Sequence, residues 1–208
     1  MKGDKKLLIA ISGGIGTGKS VVSNVLHAMG YAVYDTDSGA RNLMDSSDDI
    51  KRRLWEAFGQ EAFMFDDPAT INRGRLAQIV FNDKDKLHRL NAIVHAAVIR
   101  DVENWRERLD DTVAFVETAL LYQSGMDAMV DAVWEITCHE SVRVERVMLR
   151  NNMTEAEVRA RIASQNYAAE KQHPVIYRIV NDGVAAVLPQ VLIGLDTVRG
   201  ILARKGLV

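Results

Sequence analysis

A glycine-rich segment near the amino terminus, GGIGTGKS at residues 13–20, carries the side chains most suited to phosphate chemistry. Glycine at this density lets successive backbone N–H groups point at one anion without interference from side chains. The segment fits G-x-x-x-x-G-K-[ST], in which the lysine reaches the β/γ-phosphates and the hydroxyl of Ser20 binds Mg²⁺. We therefore predict a site for nucleotide phosphate here. Its predicted contacts are Gly14, Ile15, Gly16, Thr17, Gly18, Lys19, Ser20 and Val21.

The segments around this loop predict the opening of a parallel sheet. The apolar run LLIAIS reads as a buried strand, and KSVVSNVLHAMG reads as a helix that ends at Gly30. A second strand is predicted over residues 31–37, YAVYDTD. A strand, a glycine loop, a helix and a strand in this order predict a βαβ unit with the phosphate at the helix N-terminus.

The rest of the chain predicts one α/β domain over residues 1–208. Strands alternate with helices, which indicates a parallel sheet covered on both faces, a three-layer fold. The predicted parts are a core at 1–37 and 110–208 and a helical insertion at about 38–109 with a loop at Asp66–Pro68. Further strands are predicted at 112–118, 132–138 and 175–182, together with helices that meet near Asn151–Asn152 and a last helix at 184–202.

Composition excludes several classes of function. The chain has 26 basic and 28 acidic residues, so no global attraction to nucleic acid or to a membrane surface is expected. Cys138 is the single cysteine and excludes an internal disulfide, which favours a reducing cytoplasm. The first apolar run is shorter than a signal-peptide core, and no run of about 18 apolar residues is present. We expect a cytoplasmic protein without membrane or nucleic-acid partners.

The acidic end of the second strand favours a small-molecule kinase over other nucleotide-binding classes. A G protein would need Asn-Lys-x-Asp, and NDKD at 82–85 is not that motif. Because ligands of open α/β sheets bind at the carboxyl ends of strands, Asp35 and Asp37 are expected to face the phosphates. Asp35 also fits as an N-cap of the following helix.

The sequence closely resembles the dephospho-CoA kinases along nearly its whole length. The motifs with most discrimination are D-x-D-x-x-A-R at 35–41 and L-N-x-x-x-H at 90–95. The resemblance continues, in order, at FG (58–59), INRGRLAQIVFND (71–83), ETALLYQSG (117–125), RVMLRNN (146–152), SQ (164–165) and IVNDG (179–183). It implies transfer of the γ-phosphoryl group of ATP to the ribose 3′-hydroxyl of dephospho-CoA, with Mg²⁺, by a monomer or weak oligomer.

On the acceptor side, the resemblance implies that Asp37 is the base that accepts or orients the proton of the 3′-hydroxyl. It assigns substrate contacts to Asp35 and Arg41, and it places Arg73 and His95 in the helical part that holds the CoA side. His95 also fits as a half-buried core histidine. The chain departs from the usual family pattern at Ala96, Ala119 and Gln123, where the family carries proline, proline and glutamate.

On the phosphate side, Lys19 of the P-loop motif is expected to be catalytic. The resemblance implies a short lid at about 146–170, in which an arginine, Arg146 or Arg150, neutralises the transferred group. Glu117 would join Ser20 in the Mg²⁺ shell, and Asn181 would lie near the adenine. The usual second hydroxyl after the lysine is absent, because Val21 follows Ser20. Two rival functions stay open: a kinase for a nucleoside or nucleoside monophosphate, and a regulatory nucleotide-binding module.

Overall fold

One sheet of five strands forms the centre of the protein in a computed structural model that describes residues 6–81, 83–165 and 173–206. The strands are β1 (Leu7–Ser12), β2 (Ala32–Asp35), β3 (Val113–Thr118), β4 (Ala132–Thr137) and β5 (Ile176–Val180). They lie in the order β2-β3-β1-β4-β5. β1 pairs in parallel with β3 and with β4, and β4 pairs in parallel with β5. The predicted parallel sheet is therefore confirmed.

β1 is the central strand, and its sequence explains its position. All six of its residues are buried, as expected for a strand covered on both faces. Its last residue, Ser12, lies opposite Thr118 of β3 and Glu135 of β4. The carboxyl ends of three strands therefore meet at the edge of the sheet where the glycine loop begins.

The described part of the chain contains eight α-helices. They are α1 (Lys19–Ala28), α2 (Thr36–Ser46), α3 (Asp48–Phe58), α4 (Arg73–Phe81), α5 (Lys84–Arg108), α6 (Glu140–Asn151), α7 (Glu155–Gln165) and α8 (Val187–Lys205). Thr154 and Glu157 form a capping box at the start of α7, with 2.8 Å between the Thr154 amide and a Glu157 carboxylate oxygen. Among the described residues, none of the helices combines the length and apolarity needed to cross a membrane.

The chain divides into two compact units. The first comprises the residues up to Tyr34 and those from Arg108 onward. Its core lies between the sheet and the helices α1 and α8, where Phe115 and Trp134 pack with their ring centroids 5.1 Å apart. Gly194 of α8 allows this packing, because a Cβ there would lie 2.7 Å from the Trp134 ring. A side chain at this position would separate the helix from the sheet.

The second unit, Asp35–Glu107, has its own apolar core. Buried side chains of α3, α4 and α5, with those of the loop between α3 and α4, form it; they are Ile50, Leu54, Ala62, Phe63, Ile71, Leu76, Val80 and Ala97. The unit boundaries lie within three residues of the predicted limits of the insertion, 38–109. The lid at 146–170 stays a prediction: α6 and α7 cover its first part, and residues 166–170 lie outside the described residues.

The second strand is shorter than predicted. β2 ends at Asp35, and Thr36 and Asp37 already belong to α2. The cause is local, because the Asp35 carboxylate accepts hydrogen bonds from the Asp37 amide at 3.1 Å and from the Ser38 hydroxyl at 2.5 Å. This is an N-cap, which starts a helix at once. The prediction of a strand to residue 37 was therefore wrong by two residues.

Candidate active site

The glycine loop lies between β1 and α1 and adopts backbone angles that favour glycine. Gly16 and Gly18 have φ of 80° and 84°, in the left-handed region, and Gly13 has φ of 156°. Gly18 is also the N-cap residue of α1, so the loop leads directly into the positive end of the helix dipole. A Cβ on Gly18 would lie 2.1 Å from Nδ2 of Asn181. This geometry is that of a phosphate-binding loop.

Lys19 and Thr17 fold back onto the start of the loop. Lys19 Nζ donates to the carbonyl oxygen of Gly13 at 3.0 Å and lies 3.5 Å from that of Gly14. The hydroxyl of Thr17 donates to the same Gly14 carbonyl at 2.9 Å. The ammonium group is thereby held beside the loop backbone, in the position from which a P-loop lysine reaches the β/γ-phosphates.

Two side chains, one from α6 and one from the end of α7, contact Ile15 of the loop, and the sequence reasoning missed both as site residues. Arg143 Nε donates to the Ile15 carbonyl at 2.9 Å, and Gln165 Oε1 accepts from the Ile15 amide at 2.7 Å. These partners are 128 and 150 residues away along the chain. The motif SQ at 164–165 was the one sequence signal, as part of the family resemblance.

Asn181 contacts the other end of the loop. Its Nδ2 donates to the Thr17 carbonyl at 3.0 Å and to the Gly18 carbonyl at 3.4 Å. Its own backbone is fixed, because its amide donates to Thr137 and its carbonyl accepts from Arg146 Nη1 at 2.8 Å. Asn181 therefore holds the backbone of the glycine loop in place, a role that we call a brace. Its contact with adenine stays a prediction.

Ser20 and Glu117 offer the oxygen ligands that suit Mg²⁺. Ser20 is exposed in the first turn of α1, and Ser23 follows it three residues later on the same helical face. The Ser23 hydroxyl donates to Glu117 Oε2 at 2.6 Å, which fixes this carboxylate of β3 alongside α1. The described residues contain no cluster of three metal-ligating side chains. A hydroxyl and a carboxylate nevertheless suffice for Mg²⁺ bound mainly by phosphates and water.

The two predicted lid arginines lie in different surroundings. Arg146 is half-buried and bonded to Asn181, and its Nη1 lies 3.7 Å from Cys138 Sγ. Arg150 is exposed, and its Nε donates to Asn151 Oδ1 at 2.9 Å. The helix that carries both is fixed near the loop, because apolar side chains of α6 and α7 pack together and against Ile15; they are Val144, Val147, Val158 and Ile162.

The predicted acceptor residues belong to the second unit. Asp37 and Arg41 are exposed on α2. Arg73 is held by this helix, because its Nη2 donates to Asp45 Oδ1 at 2.6 Å and to the Arg41 carbonyl at 3.1 Å. His95 is half-buried in α5, and burial lowers its pKa below the ordinary value of 6.5. The roles of these residues toward a substrate stay predictions.

A pocket of about 320 Å³ opens beside the loop in the first unit. Its polar wall is formed by Gly13, Gly14, Thr17, Cys138, Arg143 and Gln165, and Leu121, Tyr122 and Gln123 from the segment after β3 close another side. Gly14 lies against the arginine, since a Cβ there would be 2.3 Å from Arg143 Nη2. The lining carries one positive residue, Arg143, and one negative residue, Glu135, whose carboxylate pairs with Arg178 at 2.8 Å. Arg143 is therefore the charge in this pocket that suits an anionic ligand.

A five-stranded parallel sheet with a phosphate-binding loop between β1 and α1 defines an α/β P-loop kinase fold. Solved structures share this fold: a protein from Thermus thermophilus superposes with a TM-score of 0.76 at 29% identity, covering 95% of this chain and 98% of that one. A dephospho-CoA kinase from Campylobacter jejuni gives 0.62 at 21% identity, covering 93% and 96%.

Sequence comparison identifies the family. The family model described as dephospho-CoA kinase matches residues 7–186. A dephospho-CoA kinase of Porphyromonas gingivalis is 32% identical over 198 residues, which cover 93% of this chain and 95% of the relative. One from Geobacillus kaustophilus is 35% identical over 180 residues, covering 85% and 89%. The chain belongs to the dephospho-CoA kinase family, and it is therefore a kinase.

Proposed function

We propose that the protein transfers the γ-phosphoryl group of ATP to the ribose 3′-hydroxyl of dephospho-CoA and so forms coenzyme A. The observation that carries this proposal is the P-loop of the first unit, with Lys19 held over Gly13, in a chain matched by the family over residues 7–186. ATP is the co-substrate that a kinase of this family requires. Catalysis of this transfer consists mainly of positioning and of stabilising charge on the transferred group.

The chain's own residues divide this work. The loop amides and the first turn of α1 bind the phosphates, and Lys19 contributes a point charge. Ser20 and Glu117, whose carboxylate is held by Ser23, would hold Mg²⁺, which would supply positive charge to the phosphates. Arg146 and Arg150 add positive charge from α6. The bond from Arg146 Nη1 to the Asn181 carbonyl at 2.8 Å supports a role for Arg146 beside the loop.

On the acceptor side, Asp37 accepts or orients the proton of the 3′-hydroxyl. Its position supports this role, because Asp35 caps α2 and leaves Asp37 exposed in the first helical turn. Arg41 and Arg73 contact the acceptor phosphates, and Arg73 is kept in place by Asp45. His95 contacts the same part of the substrate, the CoA side.

The test is to incubate the purified protein with Mg²⁺, ATP and dephospho-CoA and to detect coenzyme A by mass. Lys19→Ala should abolish the product, and Ser20→Ala should raise the Mg²⁺ concentration needed for half-maximal rate. If the wild-type protein binds ATP but forms no coenzyme A, the proposed acceptor is wrong. Competition by nucleosides and nucleoside monophosphates then identifies the acceptor.

Asp37→Asn tests the base, and Asp66→Asn is its matched control in an exposed loop of the same unit. Loss of the proton acceptor should lower kcat by about 10²–10⁴-fold, the usual contribution of a general base. ATP affinity should be unchanged, because Asp37 is not part of the phosphate-binding loop. Full activity in Asp37→Asn would exclude Asp37 as the base, and an equal loss in Asp66→Asn would point to a general defect.

A further inference from the structure

Arg143 has a guanidinium group that is only partly used by the protein. It lies in the first turn of α6, and its Nε donates to the Ile15 carbonyl at 2.9 Å. Its Nη2 is buried and has no hydrogen-bond partner among the described residues. Burial lowers the pKa of Arg143, although the charges of Glu140 and Cys138 act in the opposite direction. A guanidinium group nevertheless remains charged in a protein.

A buried donor without a partner is unfavourable. It costs about 1–3 kcal/mol for a neutral group and more for a charged one. A ligand that supplies the missing hydrogen-bond acceptor offsets this cost. The direction of Nη2 indicates where that acceptor lies, because Nη2 is next to Gly14 and the guanidinium lines the pocket with Gly13, Thr17 and Gln165. Because Nη2 is covered by the loop, an anion bound there would reach it through a small shift of the loop or of the arginine side chain.

The position of Lys19 indicates which part of an ATP molecule this is. Lys19 Nζ contacts the carbonyl oxygens of Gly13 and Gly14, the same short segment that borders Arg143. In a P-loop, the lysine marks the β/γ end of the phosphate chain, while the later loop amides cradle the α- and β-phosphates. Two cations therefore converge on the end of the site where the terminal phosphate lies.

We propose that Arg143 binds the terminal phosphoryl group of ATP through Nη2 while its Nε holds the loop at Ile15. This inference rests on the proposed kinase function and adds a residue to it. Arg143 then contacts both the loop backbone and the terminal phosphate, so the conformation of the loop depends on whether that phosphate is bound. It also supplies positive charge where charge is transferred, in addition to Lys19.

The alternative is that Arg143 only braces the loop through Nε, and nucleotide affinities separate the two roles. A brace acts on every nucleotide that uses the loop, whereas a contact with the terminal phosphate acts on ATP and not on ADP. The probes are Mg²⁺ with the non-hydrolysable ATP analogue AMP-PNP, and Mg²⁺ with ADP. Their dissociation constants are measured by titration calorimetry on the full chain.

In Arg143→Met, we expect the affinity for AMP-PNP to fall about 10- to 100-fold more than the affinity for ADP, the effect of one charge-assisted hydrogen bond. Arg161→Met is the matched control, because Arg161 is exposed on the neighbouring helix α7. It should bind both nucleotides like the wild-type protein. Arg143→Gln serves as a second variant if the methionine variant does not fold, and the same ratio of affinities is measured.

Equal loss for both nucleotides would overturn the proposal and leave Arg143 as a brace. Unchanged binding of both would overturn it as well. Neither result depends on dephospho-CoA, so this test is separate from that of the proposed function. If the wild-type protein makes no coenzyme A while Arg143→Met still discriminates against AMP-PNP, the acceptor is wrong and the role of Arg143 stands.

Discussion

Replacement of Asn181 tests how the glycine loop is held in the conformation that binds phosphate. The Asn181 side chain is only 7% exposed, and its Nδ2 donates to the carbonyl oxygens of Thr17 and Gly18. Asn181→Ala removes this donor and leaves the Thr17 carbonyl without it. Asn181→Asp keeps the shape of the side chain but brings a carboxylate oxygen against the two carbonyl oxygens.

The structure sets the size of the effect. The bond to Thr17 is 3.0 Å long and buried, and the bond to Gly18 is 3.4 Å and weaker. Loss of such a partner should lower the free energy of unfolding of Asn181→Ala by about 2 kcal/mol. For a chain of this length, that corresponds to a fall in Tm of about 4–8 °C. The free energy of unfolding of Asn181→Asp should fall further at neutral pH, because a carboxylate oxygen then faces the Thr17 carbonyl oxygen and neither group is a donor.

The assay is thermal unfolding followed by circular dichroism, with and without Mg²⁺ and ADP, together with the dissociation constant for ADP. Both variants should bind ADP more weakly, because Gly18 is no longer held. The difference in Tm between Asn181→Asp and the wild-type protein should narrow toward pH 4, where a protonated carboxyl can donate again. Asn42→Ala, at an exposed position on α2, is the control. Wild-type Tm and ADP affinity in Asn181→Ala would refute the brace.

Two further predictions concern packing and pH. Gly194→Ala should be less stable than Gly200→Ala by about 1–3 kcal/mol in urea unfolding. The Cβ of an alanine at 194 would meet Trp134, whereas a Cβ at 200 has open space. Equal free energies of unfolding for the two variants would contradict this packing. Burial lowers the pKa of His95 from 6.5, so the unfolded chain takes up the proton first and stability should fall as the pH drops below 6.5 toward the folded-state pKa. His95→Gln should reduce that fall between pH 7.5 and 5.5, and an unchanged slope would exclude this histidine as its source.

Sequence patterns predicted those elements whose cause is local. The strand at Leu7–Ser12 was predicted with its correct bounds, because a short apolar run between polar segments marks a strand buried on both faces. The capping box of α7 is local in the same way, since both of its residues belong to one turn. The end of β2 was missed because the capping strength of Asp35 exceeded the strand pattern that continued to residue 37.

Residue spacing alone predicted only the part of the site that is contiguous in sequence, while distant residues such as Asn181 and Arg146 entered through the family resemblance. The P-loop motif contains the glycines, the lysine and the hydroxyl within eight residues. Arg143 escaped notice because Arg143, Arg146 and Arg150 share one helical face, and spacing alone does not tell which of them is buried. The packing of α6 against Ile15 determines which arginine is buried, and it leaves Arg150 exposed.

Tertiary hydrogen bonds explain how a loop so rich in glycine is ordered. Four glycines at residues 13–18 cost about 0.5–1 kcal/mol each in lost backbone freedom, or about 2–4 kcal/mol together. Arg143, Gln165 and Asn181 give the loop three strong bonds, and Thr17 adds one within it. At about 0.5–1.5 kcal/mol each, these four contribute about 2–6 kcal/mol, which offsets the cost. The glycines therefore permit the phosphate-binding conformation, and side chains from distant segments select it.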